Sequence, residues 1–520
     1  MPLLTIIIFL PLIGIPFMLW RGLSDAYAKW LTLSVMLADL AFAVGALATF
    51  DRSASGYQLV EQVEWVSSVG LSYLVGVDGF SIWLVVLSAV MFPIGVLSAW
   101  SVTHRVRELM ALTLALQTVV IGAFCALDVL LFFVFFEALL FPMFLIIGIW
   151  GSARRVYASV KFFLYTMLGS AFILVGLLYL WAQASQQFGQ GTFDIRQLEQ
   201  LSLSVDEQRW LFLAFFIGFA VKVPVFPLHT WLPDAHTEAP TLGSIVLAAL
   251  LLKAGPYGML RFNLDLFPEA ARYFADAIAV LALIGIVYGA IVAMMQTDVK
   301  RLVAYSSVSH MGFVVLGIFT LTSEGTSGAV IQMVNHGLST GLLFLVVGIL
   351  YERTHTREIA DMGGLARVTP GIAAAFLVAS LSSIGLPGLN NFIGEFLVIL
   401  GAFGSDRLFG AIAVTGVVLG AVYMLWAYQR TFEGPPVDRW RGIRDVLPRE
   451  IAAIVPIVAL MVVIGVYPKP VLERIDPSAS GVVRWVRAVE TNQAGLPGGI
   501  RAEVQPSYRP SPVAQTAGPG

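Results

Sequence analysis

A lysine and a proline interrupt one of the most apolar parts of the sequence. Lys222 and Pro224 lie towards the end of the run 210–226, which otherwise has the composition of a membrane span. An ammonium group inside a bilayer costs at least about 2.5 kcal/mol and is tolerated where it has a partner or water. Because proline lacks an N–H and clashes with the preceding turn, the helix should break at Pro224. Broken helices at bilayer depth line cavities or lie within protein, so the two residues predict a charge-handling site.

Two further ionisable residues lie inside other apolar runs. Glu137 follows a phenylalanine-rich segment and has no basic neighbour in the sequence. Since a buried charge requires a partner, we expect Lys222 to pair with it functionally; the alternative is a static ion pair that sets the helix register. Lys253 precedes a second potential break at Pro256. We interpret Lys253 as a residue that binds and releases a proton, the alternative being that its side chain reaches the membrane surface.

Two histidines and a glutamate extend this set towards the carboxyl-terminal half. His310 and His336 suit a proton relay because histidine titrates near neutral pH; hydrogen bonding that only stabilises helix packing is an equal alternative. Glu395 follows another proline break, at Pro387 within Ile384-Gly-Leu-Pro. We expect Glu395 to be the carboxylate through which a proton leaves.

Other polar residues have simpler interpretations. Asp39 is interpreted as making a local polar contact, and Cys125 as a small hydrophobic residue. A cluster of residue types that ligate metals follows the first break: His229, Asp234, His236 and Glu238. Its spacing matches no zinc signature, so we interpret it as a solvated loop.

Composition restricts the class of protein. The chain has 520 residues, of which 58% are hydrophobic and 12% charged, and its mean hydropathy is +0.84. Soluble proteins have about 25% charged residues, so a multi-pass membrane protein is indicated. The single cysteine excludes a cysteine-ligated iron–sulfur cluster within the chain. A net charge of −2 gives no reason to expect nucleic acid binding, and no nucleotide-binding motif is present.

Apolar runs of about 20 residues predict membrane-spanning helices. We predict fourteen, with breaks in the seventh and twelfth: 3–20, 30–50, 79–100, 109–126, 128–150, 160–182, 208–230, 240–262, 273–297, 301–321, 327–350, 371–402, 407–431 and 451–468. Loops after odd-numbered spans hold most of the lysines and arginines. They should therefore face the cytoplasm, with both termini outside. Residues 469–520 have no apolar run of span length and are interpreted as a polar extramembrane tail.

The sequence also contains an internal repeat. Residues 173–179 resemble residues 345–351, and a shift of 173 positions places Lys222 on Glu395 and Glu137 on His310. This offset spans five helices, an odd number, so the two units should be inverted relative to each other. The predicted division is into helices 1–3, a first repeat, a second repeat, and helix 14 with the tail: 1–108, 109–262, 263–431 and 432–520.

Three sequence blocks resemble a known family. They are VKVPVFPLHTWLPDAHTEAP at 221–240, SSVSHMG at 306–312 and GLPGLNNFIGEF at 385–396. Together they resemble the antiporter-like subunits of respiratory complex I (NADH:quinone oxidoreductase) and of Mrp-type cation/proton antiporters, with likeness over nearly the whole chain. Among the three related complex I subunits, one characteristically has glutamate in its second broken span, and Glu395 resembles that one.

The resemblance implies a fold and a role for each candidate residue. The implied fold is all-α, with fourteen transmembrane helices in two inverted five-helix units. The implied roles are an ion pair for Glu137 and Lys222, a central lysine for Lys253, connecting histidines for His310 and His336, and a terminal proton site for Glu395.

The expected function is proton translocation as a membrane subunit of complex I, coupled to NADH oxidation and quinone reduction in other subunits. No cofactor is expected in this chain, while FMN, iron–sulfur clusters and quinone are expected in partner subunits. The expected partners are other complex I membrane subunits, including the two siblings, within the lipid of a bacterial inner membrane. The alternatives are a subunit of an Mrp-type sodium/proton antiporter and a structural subunit that spaces the true pumps.

Overall fold

The computed structural model describes residues 2–20 and 22–492; Met1, Arg21 and the predicted tail beyond 492 lie outside the described residues. The described chain is mostly α-helical, as the sequence predicts. Eleven of its helices are long and apolar enough to cross a membrane. Of the other three predicted spans, 3–20 and 371–402 are each divided into shorter helices, and 208–230 is helical only as far as Lys222.

The amino-terminal part consists of helices that flank a β-hairpin. Its elements are α1 (Leu3–Phe9), α2 (Ile15–Leu19), α3 (Asp25–Thr49), β1 (Gln58–Val66), β2 (Leu71–Val77) and α4 (Ser81–Ser98). The two strands pair antiparallel, with Gln58 opposite Val77. The hairpin lies between the predicted spans 30–50 and 79–100, where the sequence analysis predicts no element. Burial does not alternate regularly along β1, so the strand lacks the usual period-two pattern.

The next part contains the first broken helix. Its elements are α5 (Val106–Cys125), α6 (Val129–Ala138), α7 (Leu140–Trp150), α8 (Arg155–Phe188), α9 (Ile195–Leu198), α10 (Val205–Lys222), α11 (Trp231–Glu238), α12 (Thr241–Val246) and α13 (Leu252–Gly258). Asp128 caps α6 by accepting from the amide of Leu131, and Ser204 forms a capping box with Glu207 at α10. These caps satisfy amide groups at helix starts and fix where the helices begin.

The carboxyl-terminal part contains the second broken helix. Its elements are α14 (Pro268–Met294), α15 (Val299–Phe319), α16 (Ser323–Thr354), α17 (Pro370–Ser383), α18 (Asn390–Ser405), α19 (Arg407–Phe432), α20 (Pro448–Val466) and α21 (Lys469–Asn492). Helix α16 packs against α15, α17, α18, α20 and α21 and is buried along its membrane-spanning length. It is therefore the central element of this part.

The predicted breaks in the seventh and twelfth spans are both present. Helix α10 ends at Lys222, and the chain becomes helical again only at Trp231. Helix α17 ends at Ser383 and α18 begins at Asn390. Between them Gly385 and Gly388 have φ angles of 72° and 94°, a region that glycine adopts without the steric penalty of a side chain.

The predicted break at Pro256 is wrong. Pro256 lies inside α13, and the chain stays helical on both sides of it. The adjoining segments Leu247–Leu251 and Met259–Leu264 are π-helical. A wider π turn re-registers the hydrogen bonds around an interruption, so the proline is accommodated without a break.

Residues 469–492, which the sequence analysis interprets only as part of a polar tail, are helical. They form α21, an amphipathic helix that packs on α14 and α16. Ser478 accepts from the amide of Gly79 at 3.2 Å, and the indole of Trp485 donates to the carbonyl of Asp265 at 3.0 Å. A search for continuous apolar runs misses such a helix, because only one of its faces is apolar.

Candidate functional site

Four of the predicted residues form one buried line that runs from α13 to α18. The Nζ atom of Lys253 lies 2.7 Å from Nδ1 of His336. The rings of His336 and His310 are 5.6 Å apart between centroids, and Nδ1 of His310 lies 3.0 Å from Oε1 of Glu395. All four side chains are at most 4% exposed. Buried ionisable groups in direct contact are the arrangement that proton transfer within a membrane requires.

Separate helices supply the members of this line. Lys253 comes from α13, between the two π-helical segments, and also donates to the carbonyl of Ala248. His336 comes from the middle of α16, and His310 from α15. Because a π turn shifts the following residues around the helix axis, the π segment before Lys253 sets the direction in which this side chain leaves the helix.

The second helix break places Glu395 beside His310. Ser383, the last residue of α17, has its hydroxyl 2.9 Å from Nε2 of His310. Glu395 lies in the second turn of α18 and also accepts from Nε2 of Gln332 at 3.2 Å. The interrupted backbone thus brings one residue from each half-helix to the same histidine, so both its nitrogens have partners.

Glu137 and Lys222 interact electrostatically but do not form the direct ion pair that the resemblance implies. Neither Nζ of Lys222 nor Oε1 of Glu137 has a hydrogen-bond partner among the described residues. Lys222 instead lies over the rings of Phe136 and Phe162, at 4.8 and 5.8 Å from their centroids. A desolvated cation is stabilised by aromatic faces, so the contact with Phe136 partly replaces the direct ion pair.

The interpretation of the cluster at 229–238 as a solvated loop is wrong. His229, His236 and Glu238 are each less than 5% exposed, and the last two lie in α11, which packs between α8 and α15. Asp234 pairs with Lys161 of α8 at 2.7 Å. Within the described chain no group of three or more metal-ligating side chains is found.

The helical spacing of apolar residues was the signal that could have identified α11. Trp231, Leu232 and Ala235 are buried and recur at intervals of three and four positions. Such spacing is typical of a helix that packs against other elements. The many polar residues of this segment obscured that spacing, so the burial of His236 was not predicted.

Asp39 and Cys125 lie where the simpler interpretations place them. Oδ2 of Asp39 accepts from the amide of Gln117 at 2.6 Å, which is a local polar contact between α3 and α5. Cys125 is buried at the end of α5 and is a free thiol.

Comparisons with known proteins agree with this geometry. Residues 126–420 match the family model described as NADH:quinone oxidoreductase/Mrp antiporter, TM. The chain is 45% identical over 495 residues to NADH-quinone oxidoreductase subunit M of Rhodobacter capsulatus, covering 93% of this chain and 96% of that protein. The resemblance drawn from Glu395 to one complex I subunit is thereby confirmed.

Solved structures show the same fold. A chain of respiratory complex I from Thermus thermophilus with bound NADH superposes with a TM-score of 0.85 at 33% identity, over 93% of this chain and 99% of that one. A chain of the Mrp complex from Dietzia superposes with a TM-score of 0.81 at 20% identity, over 94% and 99% of the two chains; that match shows the fold alone. The chain belongs to the NADH:quinone oxidoreductase/Mrp antiporter family of membrane subunits.

Proposed function

We propose that this chain is a proton-translocating membrane subunit of an NADH:quinone oxidoreductase in a bacterial inner membrane. The observation that carries the proposal is the contiguous buried line Lys253, His336, His310 and Glu395. It joins a lysine to one imidazole and a second imidazole to a carboxylate by direct contacts, and the two rings lie 5.6 Å apart between centroids. The similarity to subunit M over nearly the whole chain supports assignment to the complex I branch of the family.

Histidine chemistry explains how a proton moves along this line. A neutral imidazole accepts a proton on one ring nitrogen and releases one from the other. His336 faces Lys253 with Nδ1, and its other nitrogen has no partner among the described residues. His310 is held between Ser383 and Glu395. A proton released by Lys253 therefore has a route to Glu395 with one short gap between the two rings.

Glu137 and Lys222 form the switch that drives this transfer. When Glu137 is near, its charge stabilises the ammonium of Lys222; when it is drawn away, desolvation favours loss of the proton. The contact of Lys222 with the ring of Phe136, without a hydrogen bond to Glu137, supports a pair that can separate. The step opposes about 2.3 kcal/mol per charge for every 100 mV of membrane potential. A change of a few orders of magnitude in proton affinity, about 1.4 kcal/mol for each factor of ten, supplies that work.

Electron transfer takes place in other subunits under this proposal. FMN, iron–sulfur clusters and quinone belong to partner chains, and this chain contributes no redox centre. The remaining partners are the two sibling antiporter-like subunits and the surrounding lipid. Many large apolar side chains of the long helix α8 are exposed, including Val156, Leu168 and Val175. They support such contacts with lipid or with neighbouring subunits.

Replacement of the central lysine tests the proposed function. Lys253→Met keeps the length of the side chain but removes its proton, so NADH-driven proton uptake by membrane vesicles should fall at least tenfold, with quinone reduction falling alongside. Lys29→Met is the matched control, because Lys29 is a buried lysine in α3 outside the proposed line and donates to the carbonyls of Trp100 and Val102 at 2.7 Å. Normal pumping by an assembled Lys253→Met complex would show that the proposal is wrong.

A subunit of an Mrp-type sodium/proton antiporter is the second candidate function. The shared fold favours it, but the 45% identity to a complex I subunit favours the first candidate. Purification of the chain from native membranes separates them. Recovery with flavin- and iron–sulfur-containing subunits supports the oxidoreductase, and recovery with cation-antiporter subunits alone would contradict it.

A further inference from the structure

One carboxyl group lies at the middle of the membrane, away from the buried line. Asp39 belongs to α3, which has the length and hydropathy of a membrane span. Ten residues separate Asp39 from Lys29 and ten separate it from Thr49, near the two ends of that helix. At 1.5 Å per residue each distance is about 15 Å, half the thickness of the hydrocarbon core. Asp39 is also fully buried, so neither solvent nor lipid head groups reach its carboxyl.

The helices around Asp39 offer it no cation. Helix α3 packs against α1, α4, α5 and the turn that links α1 to α2, all of which lie in the described part of the chain. Among these elements only α5 contains charged residues, Arg107 and Glu108, both in its first turn. Lys29 and Arg107, at the starts of α3 and α5, donate to backbone carbonyls instead. The thiol of Cys125 interacts electrostatically with Asp39 but supplies no positive charge.

The hydrogen bond between Asp39 and Gln117 leaves both groups half satisfied. Nε2 of Gln117 donates to Oδ2 of Asp39 at 2.6 Å, and Gln117 is also fully buried. Oδ1 of Asp39 and Oε1 of Gln117 have no hydrogen-bond partner among the described residues. Both atoms are acceptors when Asp39 is ionised. The ionised state therefore leaves two buried acceptors without a donor, although buried polar atoms are almost always bonded.

A single proton on Asp39 removes both deficits. Protonated aspartic acid has one O–H donor and one carbonyl acceptor, which matches the donor and the acceptor of the Gln117 carboxamide. Oδ1–H then donates to Oε1, while Nε2–H continues to donate to Oδ2. The neutral pair also avoids the cost of an unpaired charge in hydrocarbon.

We propose that Asp39 is a proton-binding site separate from the line of Lys253 to Glu395, in which the neutral carboxyl exchanges two hydrogen bonds with Gln117. The ligand is the proton itself, so one O–H bond forms and no other reactant is needed. The bound proton joins α3 to α5 and is not passed on. The site therefore goes beyond the proposed function and does not depend on it.

The pH dependence of stability distinguishes a bound proton from a charged carboxylate. A folded state that keeps a proton which the unfolded chain releases becomes tenfold less favoured for each unit of rising pH. Asp39→Asn presents the same donor and acceptor but does not titrate. Its melting midpoint in the purified complex should therefore gain on that of wild type by about one degree for each unit between pH 6 and 8.

An exposed aspartate provides the matched control for this measurement. The side chain of Asp206 is 87% exposed, so its carboxylate is ionised in the folded and the unfolded chain alike. The midpoint of Asp206→Asn should consequently stay parallel to that of wild type over the same range. A constant difference between Asp39→Asn and wild type from pH 6 to 8 would overturn the proposal.

Chemical labelling of the wild-type complex in membranes identifies the protonated carboxyl directly. Dicyclohexylcarbodiimide dissolves in lipid and reacts with protonated carboxyls: the O–H adds across one C=N bond, its proton passes to nitrogen, and the adduct rearranges to a stable N-acylurea. Exposed Leu37 and Val44 on α3 give the reagent access to this helix. Peptide mass spectrometry after treatment at pH 7 should find Asp39 modified. Asp78, a buried carboxylate paired with Arg261 at 2.7 Å, should remain unmodified.

Sodium separates a bound proton from a bound metal cation at the same carboxyl. Added sodium chloride at constant pH should leave the labelling of Asp39 unchanged. Protection by sodium would show that the site holds a cation, and absence of the adduct would show that Asp39 is ionised; either result overturns the proposal. Neither measurement involves pumping, so failure here is distinct from failure of the proposed function, which normal pumping by Lys253→Met would show.

Discussion

At the scale of single residues, the central observation is that the ionisable groups differ in how fully they are paired. His310 has a partner on each ring nitrogen, from Ser383 and Glu395. Lys222 has no hydrogen-bond partner among the described residues and lies on aromatic rings. A buried cation held only by aromatic faces is less stabilised than one bonded to a carboxylate. A nearby charge therefore has more influence on Lys222 than on His310.

Glu137 variants test that interpretation. Glu137→Gln removes the charge that acts on Lys222, so NADH-driven pumping should fall at least fivefold. Glu137→Asp keeps the charge on a shorter side chain and should retain more than half of the activity. The measurement is proton uptake and quinone reduction in vesicles, with complex assembly checked by co-purification. Wild-type pumping by an assembled Glu137→Gln complex would show that the interaction between Glu137 and Lys222 is only structural.

At the scale of elements, the interrupted helices determine where the ionisable groups lie. The break between α17 and α18 brings Ser383 and Glu395 to one histidine. A Cβ on Gly385, in that break, would stand 2.8 Å from Oε2 of Glu395, whereas a Cβ on Gly388 would meet nothing within 4 Å. The two glycines share a positive φ but differ in what a side chain would displace.

This difference gives a matched pair of variants. Gly385→Ala should displace the Glu395 carboxylate from His310 and lower pumping at least threefold. Gly388→Ala carries a similar backbone strain of about 1 kcal/mol without the displacement, so it should assemble and pump close to wild type. Proton uptake in vesicles is the measurement for both. Equal losses in the two variants would show that backbone strain, and not the position of Glu395, is responsible.

A helix cap provides a second test at this scale. Asp128 accepts from the amide of Leu131 at the start of α6 and from the amide of Ser72 in β2. Asp128→Ala loses both contacts, and loss of an N-cap alone costs about 1 kcal/mol. The thermal midpoint of the purified complex should therefore fall by a few degrees, while Asp128→Asn, which keeps one acceptor, should lose less. An unchanged midpoint in Asp128→Ala would show that the cap contributes nothing.

At the scale of the whole molecule, a cavity of about 260 Å³ and the positive charges lie at the same end. Loops that follow the odd-numbered predicted spans supply the walls of the cavity, and these loops also carry the excess of lysine and arginine. At the opposite end, α21 contacts Gly79 and Asp265 and covers the ends of α4 and α14. The orientation, like the inverted repeat, stays a prediction of the sequence.

Labelling of introduced cysteines tests this orientation. The background is Cys125→Ala, which should keep quinone reduction and pumping near normal, since Cys125 is a buried free thiol at the end of α5. Cysteines placed beside Arg155 and Arg441 should react with a membrane-impermeant reagent only from the cytoplasmic side. Labelling of either position from outside would contradict the predicted topology, and a large loss of activity in the background would show a role for Cys125.

The sequence by itself determined the class of protein, the positions of most apolar helices, the two breaks and the burial of Lys222, Lys253, His310, His336 and Glu395. Each depends on local composition or on a single residue type such as Pro224, so each is readable along the chain. The helix through Pro256 and the amphipathic α21 were missed, because π turns and packing against distant helices compensate for what the local pattern indicates.

Only the tertiary structure decided which ionisable groups touch. His336 contacts Lys253 across 83 positions of sequence, and His310 contacts Glu395 across 85. Lys222, by contrast, packs on Phe136, and Oε1 of Glu137 has no hydrogen-bond partner among the described residues. Pairing over a few ångströms depends on helix rotation and on which side chain fills the intervening space. Those quantities arise from packing among many helices, which no single stretch of sequence specifies.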